Sequence, residues 1–171
     1  MSLRNVELLR NALVAEYEQI QTTNEIDDLY FRTNVVTPIS RVALPIEKIT
    51  QWPCMEILFA EEVLLSKKDS NREIWDNAIK VWIYGHTKVV EPTVSSSPVT
   101  DDVFEPFLDD VLRVTLSLVK KEINSPTNRW RIDDKDGIKV MRTPELYGKN
   151  IMSFAIPLPV ILRDYPRTLR L

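Results

Sequence analysis

The stretch from residue 75 to residue 90 constrains the fold of this chain most, because its side chains alternate with a period of two. Such alternation is typical of a β-strand that buries at least one face. The second face carries two aromatic residues, so we expect a helix or a neighbouring subunit to cover it as well. Gly85 in this strand indicates a bulge or a close approach of another chain segment. The first face holds Ile79, Val81 and Ile83, and the second holds Lys80, Trp82 and Tyr84.

Two helices are predicted from apolar residues that recur every three or four positions. The first spans residues 3–21. The second spans residues 102–124, with Asp101 or Asp102 as its N-cap and Pro106 in its first turn. The apolar stripes are Val6, Leu9, Leu13, Tyr17 and Ile20 in the first helix, and Phe104, Phe107, Leu108, Val111, Leu112, Thr115, Leu118 and Val119 in the second.

Further strands are predicted on both sides of the second helix. Residues 54–60 form a short apolar run after Pro53 that could extend to residue 65, and the polar residues 66–72 are typical of a hairpin loop. Residues 29–36 fit either a strand or a turn of helix.

Near the carboxyl end, residues 130–132 and 138–142 are predicted as a hairpin around a turn at residues 133–137. The last strand spans residues 151–162. Its two prolines, Pro157 and Pro159, lack N–H donors and predict that its late part is an edge or leaves the sheet.

This order of elements predicts a single α+β domain over residues 1–171, with two helices packed on one largely antiparallel sheet. The apolar share of 44% is ordinary for a globular protein. The net charge of −3 is too small for a dominant nucleic-acid binder. No run approaches the ~20 apolar residues of a membrane span, and the first residues lack a signal-peptide core, so we expect a soluble, unexported protein.

Residues that carry chemistry are scarce, with one histidine, one cysteine and three glycines in 171 residues. Most catalytic sites need a histidine base, a thiolate, a metal cluster or a glycine-rich phosphate loop. Cys54 fits a small buried apolar residue, and His86 fits a strand-end histidine with an ordinary hydrogen bond. Nothing in the spacing places a serine or Cys54 beside His86. We therefore expect no catalytic residues, no cofactor and no metal.

Three other patterns have a functional interpretation and a simpler structural one. An acidic run could bind a metal or line a surface that repels an anion, but acids at a helix start also offset the macrodipole. Residues 133–137 resemble a calcium loop, yet Thr143 stands where the loop needs a glutamate, which favours a turn. The triplet at residues 129–131 alternates arginine with tryptophan, for which packing of the arginine stems is the default over base stacking. The acidic run is Asp101, Asp102, Glu105, Asp109 and Asp110.

Residues 91–100 form a predicted loop with two prolines and three serines. Because nothing apolar beyond Val94 and Val99 could anchor it, we expect it to be mobile when the subunit is free and ordered in an assembly, with a passive connector as the alternative. The candidate assembly-interface residues are Trp82, Tyr84, Val94, Ser95, Ser96 and Ser97.

In its layout the chain resembles the tail terminator, or tail completion, proteins of long-tailed bacteriophages, of the minor tail protein U type. The segments that carry the resemblance have no diagnostic motif, and residues 124–142 are not part of it. They are the helix with Leu8-Leu9-Arg10-Asn11-Ala12-Leu13, the strand Cys54-Met55-Glu56-Ile57-Leu58-Phe59 after Trp52-Pro53, the strand Ile79-Lys80-Val81-Trp82-Ile83-Tyr84, the helix at residues 104–123 and the final strand at residues 151–161.

The resemblance implies a structural protein without catalytic residues, encoded by a phage or prophage. Such proteins form rings, typically hexameric, that cap the tail tube at the head–tail junction, so the implied partners are further copies of this chain, the tail tube protein and the head–tail connector proteins. The implied location is the host cytoplasm during assembly and then the virion tail. The alternatives are a bacterial α+β binding or adaptor module without catalysis, and an enzyme with carboxylate chemistry at Asp101 and Glu105.

Overall fold

A computed structural model describes residues 3–69, 74–88, 103–121, 123–124, 129–143 and 151–166. Over these ranges the chain is an α+β protein with two α-helices and a mostly antiparallel six-stranded sheet. The helices are α1 (Leu3–Glu18) and α2 (Phe104–Lys120). The strands are β1 (Glu25–Ile26), β2 (Leu29–Tyr30), β3 (Cys54–Asp69), β4 (Ile74–Lys88), β5 (Ile123–Asn124), β6 (Arg129–Ile132), β7 (Met141–Thr143) and β8 (Ile151–Pro166).

Three long strands form the centre of the sheet, in the order β3, β4, β8. Strand β6 pairs with one part of β8 and β7 with another, while β5 pairs with β6. The short strands β1 and β2 pair only with each other among the described residues. The predicted fold class is therefore confirmed.

The core lies between the two helices and one face of the sheet. Leu9, Leu13 and Tyr17 follow the predicted stripe of α1, and all three are fully buried in the same cluster as Ile79, Val81 and Ile83 of β4. Removing such a side chain from water contributes roughly 1.5–3 kcal/mol. The members of the cluster on α2 are Phe104, Phe107, Leu108, Val111, Val114 and Leu118.

The ends of α2 differ from the prediction. Val103, not Asp101 or Asp102, occupies the N-cap position, and it makes no side-chain capping bond. The first helical hydrogen bond runs from the N–H of Phe107 to the Val103 carbonyl, so the turn starts after the acidic pair. The helix ends at Lys120 because Lys121 is extended, with ψ of 155°. Helix α1 likewise ends at Glu18, three residues before the predicted end.

Strand β3 continues through part of the predicted hairpin loop. Ser66, Lys67 and Asp69 pair with β4, and the register shifts between Lys67 and Asp69. Strand pairing satisfies the backbone groups whatever the polarity of the side chains, so the polar composition was misleading here. Residues 70–72 of the predicted loop lie outside the described residues.

The late part of β8 is not an edge, contrary to the prediction from its prolines. Pro159 lies between Lys80 of β4 on one side and the segment after β6 on the other, where its carbonyl accepts the N–H of Asp133 at 2.8 Å. Since N–H and C=O of one residue point to the same side of a strand, the missing donors of Pro159 and Pro157 face away from β4. On that side β8 pairs at residues 153–155 and 160–162, which leaves the prolines in the gap between β7 and β6.

The predicted carboxyl-terminal hairpin is also wrong, although its turn is present. The N–H of Gly137 bonds the Asp134 carbonyl at 2.9 Å, and Gly137 has φ of +77°, a conformation that favours glycine. The strand that follows starts at Met141 and pairs with β8 rather than with β6. Strand β8 is long enough for β6 and β7 to pair with different parts of the same side, so the two strands need not pair with each other.

Candidate functional site

The face of the sheet opposite the helices carries the candidate aromatic residues. Trp82 and Tyr84 are partly exposed there, and their rings stack with centroids 5.9 Å apart and an interplanar angle of 18°. The ammonium of Lys80 lies 5.8 Å from the centroid of the Trp82 ring. Both described helices pack on the other face, so neither of them covers these aromatics. Cover by a neighbouring subunit stays a prediction.

The strands on either side extend this apolar face. Trp82 pairs with Leu58 of β3 and with Pro157 of β8, and Tyr84 pairs with Ala155 of β8. Leu58, Ala155 and Pro157 are all partly exposed. We call this surface, formed by Leu58, Trp82, Tyr84, Ala155 and Pro157, the aromatic face.

The other candidate interface residues cannot be placed relative to the aromatic face. Val94, Ser95, Ser96 and Ser97, with the whole predicted loop at residues 91–100, lie outside the described residues. The predicted ordering of this loop in an assembly therefore stays a prediction.

A buried polar row lies at one end of the same face of the sheet. His86 Nδ1 and Ser153 Oγ lie 2.7 Å apart in a hydrogen bond, and His86 Nε2 lies 3.7 Å from Glu56 Oε2. The other oxygen of Glu56 accepts the backbone N–H of Leu44, at 2.5 Å. The three side chains come from β4, β8 and β3, and each is only 5–6% exposed. The row thus joins three strands and the segment that precedes β3.

The expectation of an ordinary hydrogen bond at His86 is confirmed, but the sequence did not indicate its partner. A serine, a histidine and a carboxylate are the components of a hydrolase triad. Here, however, Ser153 bonds Nδ1 near the start of a strand that is paired on both sides, and the residue is buried. The arrangement satisfies His86 Nδ1, the Ser153 hydroxyl and one oxygen of Glu56, each of which would cost about 1–3 kcal/mol if left unpaired. His86 Nε2 has no hydrogen-bond partner among the described residues and only faces the Glu56 carboxylate at 3.7 Å.

Gly85 is next to His86 in β4, but it lies on the face of the sheet that packs against the helices. The predicted close approach of another chain segment is found there. A Cβ added there would collide with the ring of Phe154 and lie 2.9 Å from a ring carbon of Phe107. The two rings are themselves in contact, with centroids 5.4 Å apart. Glycine at this position therefore lets two aromatic side chains pack directly on the backbone of β4.

Cys54 is buried, as expected, and lines a cavity of about 360 Å³ beneath the segment that leads into β3. Burial, together with the nearby Glu56 carboxylate, raises the pKa of the thiol to about 12. A thiol with so high a pKa is a poor nucleophile at neutral pH. The cavity lining is mostly apolar and comprises Val36, Pro38, Ile39, Ser40, Leu44, Pro45, Lys48, Ile49, Thr50, Gln51, Cys54 and Met55.

The acidic run on α2 is used in structural pairs. Asp110 is fully buried, and its Oδ2 accepts the N–H groups of Arg32 and Thr33 at 2.9 and 2.8 Å. Glu105, in the first turn, pairs with Arg142, and Asp109 pairs with Arg32. Among the described residues no group of three or more His, Cys, Asp or Glu could hold a metal ion, while Asp101 and Asp102 lie outside them.

The Asp110 contacts also explain the segment at residues 29–36, whose structure the sequence left open. Strand β2 takes up two of its residues, and Asp110 of α2 holds Arg32 and Thr33. The N–H groups of Phe31, Val35 and Val36 instead bond backbone carbonyls outside α2. Arg113 donates to the carbonyls of Ile26 and Leu29, and so it anchors both strands of the β1–β2 hairpin.

The tryptophan of the arginine–tryptophan triplet is part of the core. Trp130 is fully buried in the same cluster as the helices, so its ring cannot stack on a base. The default interpretation, packing of the arginine stems, stays a prediction, because the side chain of Arg129 lies outside the described residues.

A scan against protein-family models and a search of curated proteins found no match to this chain. Neither described helix combines the length and apolar character that crossing a bilayer requires.

Proposed function

We propose that this chain is a structural tail terminator or tail completion protein of a phage or prophage. Copies of it would form a ring, hexameric by resemblance to that family, which caps the tail tube at the head–tail junction. Its partners would be further copies of itself, the tail tube protein and the head–tail connector proteins. It would act in the host cytoplasm during assembly and then remain in the virion tail.

The observation that carries this proposal is the partly exposed, stacked pair of Trp82 and Tyr84 on the aromatic face. Tryptophan and tyrosine are enriched among the residues that dominate protein interfaces, because they bury a large area at low entropic cost. Tyr84 is neutral at physiological pH, as any unperturbed tyrosine is, and burial together with the Glu56 carboxylate raises its pKa further. A neutral aromatic face suits contact with another protein surface.

The buried polar row supports a role without catalysis. Ser153 and His86 are 5% and 6% exposed, and the hydrogen bond between them lies within the sheet. A substrate carbonyl would have to reach Ser153 Oγ on a face of the sheet where this residue is only 5% exposed. We therefore propose that the row stabilises the sheet and performs no acyl transfer.

The test removes both aromatic rings and measures assembly. In the double variant Trp82→Ala/Tyr84→Ala, we expect loss of the higher oligomer in light scattering and loss of bound rings on tail tubes in electron micrographs. The matched control is Tyr30→Ala, which removes a 64% exposed aromatic ring from the β1–β2 hairpin. A double variant that still forms rings on tubes, or a wild-type protein that never binds them, would contradict the proposal.

The second candidate, a bacterial binding or adaptor module, is favoured by the cavity of about 360 Å³ near Cys54. Its volume and apolar lining fit a small apolar side chain or ligand. Chemical-shift changes confined to residues 36–55 on addition of apolar peptides, without ring formation on tubes, would favour this function over the first.

A further inference from the structure

The cavity of about 360 Å³ beneath the segment that leads into β3 has walls fixed by hydrogen bonds. Ser40 N donates to the Met55 carbonyl at 3.1 Å, and Ile57 N donates to the Ser40 carbonyl at 2.9 Å. Further along the same segment, the Leu44 N–H donates to the Glu56 carboxylate. The lining segment is thus tied to β3 at several points, so a ligand enters a preformed site and orders little of the protein on binding.

The lining of this cavity has an apolar floor and a rim that is polar on one side. The floor is formed by the buried residues of the lining, which are Ile39, Cys54 and Met55. The polar side of the rim is formed by exposed residues from one short stretch of chain, which are Lys48, Thr50 and Gln51. A ligand that matches both parts has an apolar body and one polar end.

The charges around the cavity select the sign of that polar end. Of the described residues that line the cavity, Lys48 alone carries a charge, and it lies at the rim. Behind the floor lies the Glu56 carboxylate, close enough to Cys54 to help raise the pKa of its thiol. A negative charge behind the floor and a positive charge at the rim hold an anionic end outward, where water still hydrates it.

The volume of the cavity limits the size of the ligand. At ~30 Å³ for each non-hydrogen atom, the space holds about a dozen such atoms. An unbranched carboxylate of about eight to ten carbons fills this space when its charged end stays at the rim. A longer chain would leave methylene groups in water, and a much shorter one would leave the floor unfilled.

We propose that this cavity binds a medium-chain aliphatic carboxylate, with its hydrocarbon chain on the floor and its carboxylate beside Lys48. The cavity shares no residue with the aromatic face, so this binding does not depend on ring formation. For its biological role the inference rests on the second candidate function, the binding module, whose ligand class it names.

Titration of the full-length protein with sodium octanoate, followed by NMR of the side-chain methyl groups, tests the site. We expect saturable shifts at Ile39, Ile49 and Met55, with a dissociation constant on the order of 0.1–1 mM. Butanoate should bind at least about tenfold more weakly, because it buries fewer methylene groups. The exposed Leu29 and Leu116 report non-specific contact and should not shift. Shifts that do not saturate, or that are equally large at these two leucines, would overturn the proposal.

A charge reversal at the rim tests the position of the carboxylate. The wild type should bind octanoate more tightly than octylammonium, which has the same chain and the opposite charge. In Lys48→Glu this order should reverse, with octanoate weakened by about three- to tenfold, since an exposed attraction becomes a repulsion. Lys135→Glu is the matched control, an exposed lysine outside the lining. An unchanged order in Lys48→Glu, or the same reversal in both variants, would contradict this placement.

A larger side chain in the lining tests the location and separates this inference from the second candidate function. Val36→Phe changes a half-buried lining residue and should weaken octanoate binding by at least about tenfold, with the circular dichroism spectrum unchanged. Full affinity in this folded variant would place the ligand elsewhere. Apolar peptides that bind at residues 36–55 of a protein that does not bind octanoate would support the binding module and overturn the carboxylate site.

Discussion

The two faces of strand β4 differ in what lies against them, although the same alternation of residues produces both. On one face Ile79, Val81 and Ile83 are at most 1% exposed beneath the two helices. On the other, Lys80 is exposed and Trp82 and Tyr84 are partly exposed. The larger side chains thus lie on the less covered face. Since burial rather than side-chain size determines the stability that a residue contributes, we expect the helix face to determine folding and the aromatic face to determine association.

The largest expected effect separates the two faces directly. Phe107→Ala empties a fully buried site between α2 and the sheet and should lower the free energy of unfolding by about 3–5 kcal/mol. Trp82→Ala removes a larger ring from the aromatic face and should cost only about 1 kcal/mol, because that ring is already partly in water. Urea titrations followed by circular dichroism measure both values.

Leu116→Ala is the control for the helix, because Leu116 lies on α2 with half of its surface exposed. It should change the stability little. If Trp82→Ala destabilises the isolated subunit as much as Phe107→Ala does, the aromatic face is part of the folding core and the comparison between the faces fails.

A smaller effect is expected at Gly85, where the helix face meets the backbone of β4. Gly85→Ala should destabilise the protein by about 1–3 kcal/mol, because the added methyl group must displace the rings of Phe154 and Phe107. Combining it with Phe154→Leu should give a loss smaller than the sum of the two single losses. Additive losses would show that the strain arises elsewhere.

The sequence predicted those parts of the fold that depend on local patterns. Apolar periodicity located both helices to within about four residues, and alternation located β4 to within two. The effect of Pro157 and Pro159 could not be predicted, because a missing N–H matters only on the side where a neighbour pairs. That side depends on the register of β4 and β8.

The polar row shows the same dependence on register. Glu56, His86 and Ser153 are separated by 30 and 67 positions in the chain, and only the pairing of three strands brings them together. A single histidine without a nearby acidic or hydroxyl motif gave no signal for this. Trp82 and Tyr84, in contrast, were identifiable because an aromatic pair on the second face of an alternating strand is a local feature.

The smallest expected effect concerns Cys54, which lies in the same cross-strand row as His86 and Ser153. Burial and Glu56 raise the pKa of its thiol from about 9 to about 12 in the folded protein. At pH 7 the thiol is protonated in both the folded and the unfolded state, so it adds no pH dependence. Above pH 9 the unfolded chain releases this proton while the folded chain keeps it, and the free energy of unfolding therefore falls as the pH rises towards 12, by at most about 1.4 kcal/mol per pH unit.

Comparing the wild type with Cys54→Ala at pH 7 and pH 10 isolates this contribution. Between these two pH values we expect the free energy of unfolding of the wild type to fall by about 1 kcal/mol more than that of the variant. Measurements at higher pH would mix in Tyr17 and Tyr84, whose raised pKa values act in the same direction. Alkylation of the native thiol at pH 8 should accordingly be slow and should accelerate in urea. Fast alkylation of the folded protein, or an identical pH dependence of the two proteins, would contradict this prediction. Either result would mean that solvent reaches the end of the face that holds the polar row, although His86, Ser153 and Cys54 are at most 6% exposed there.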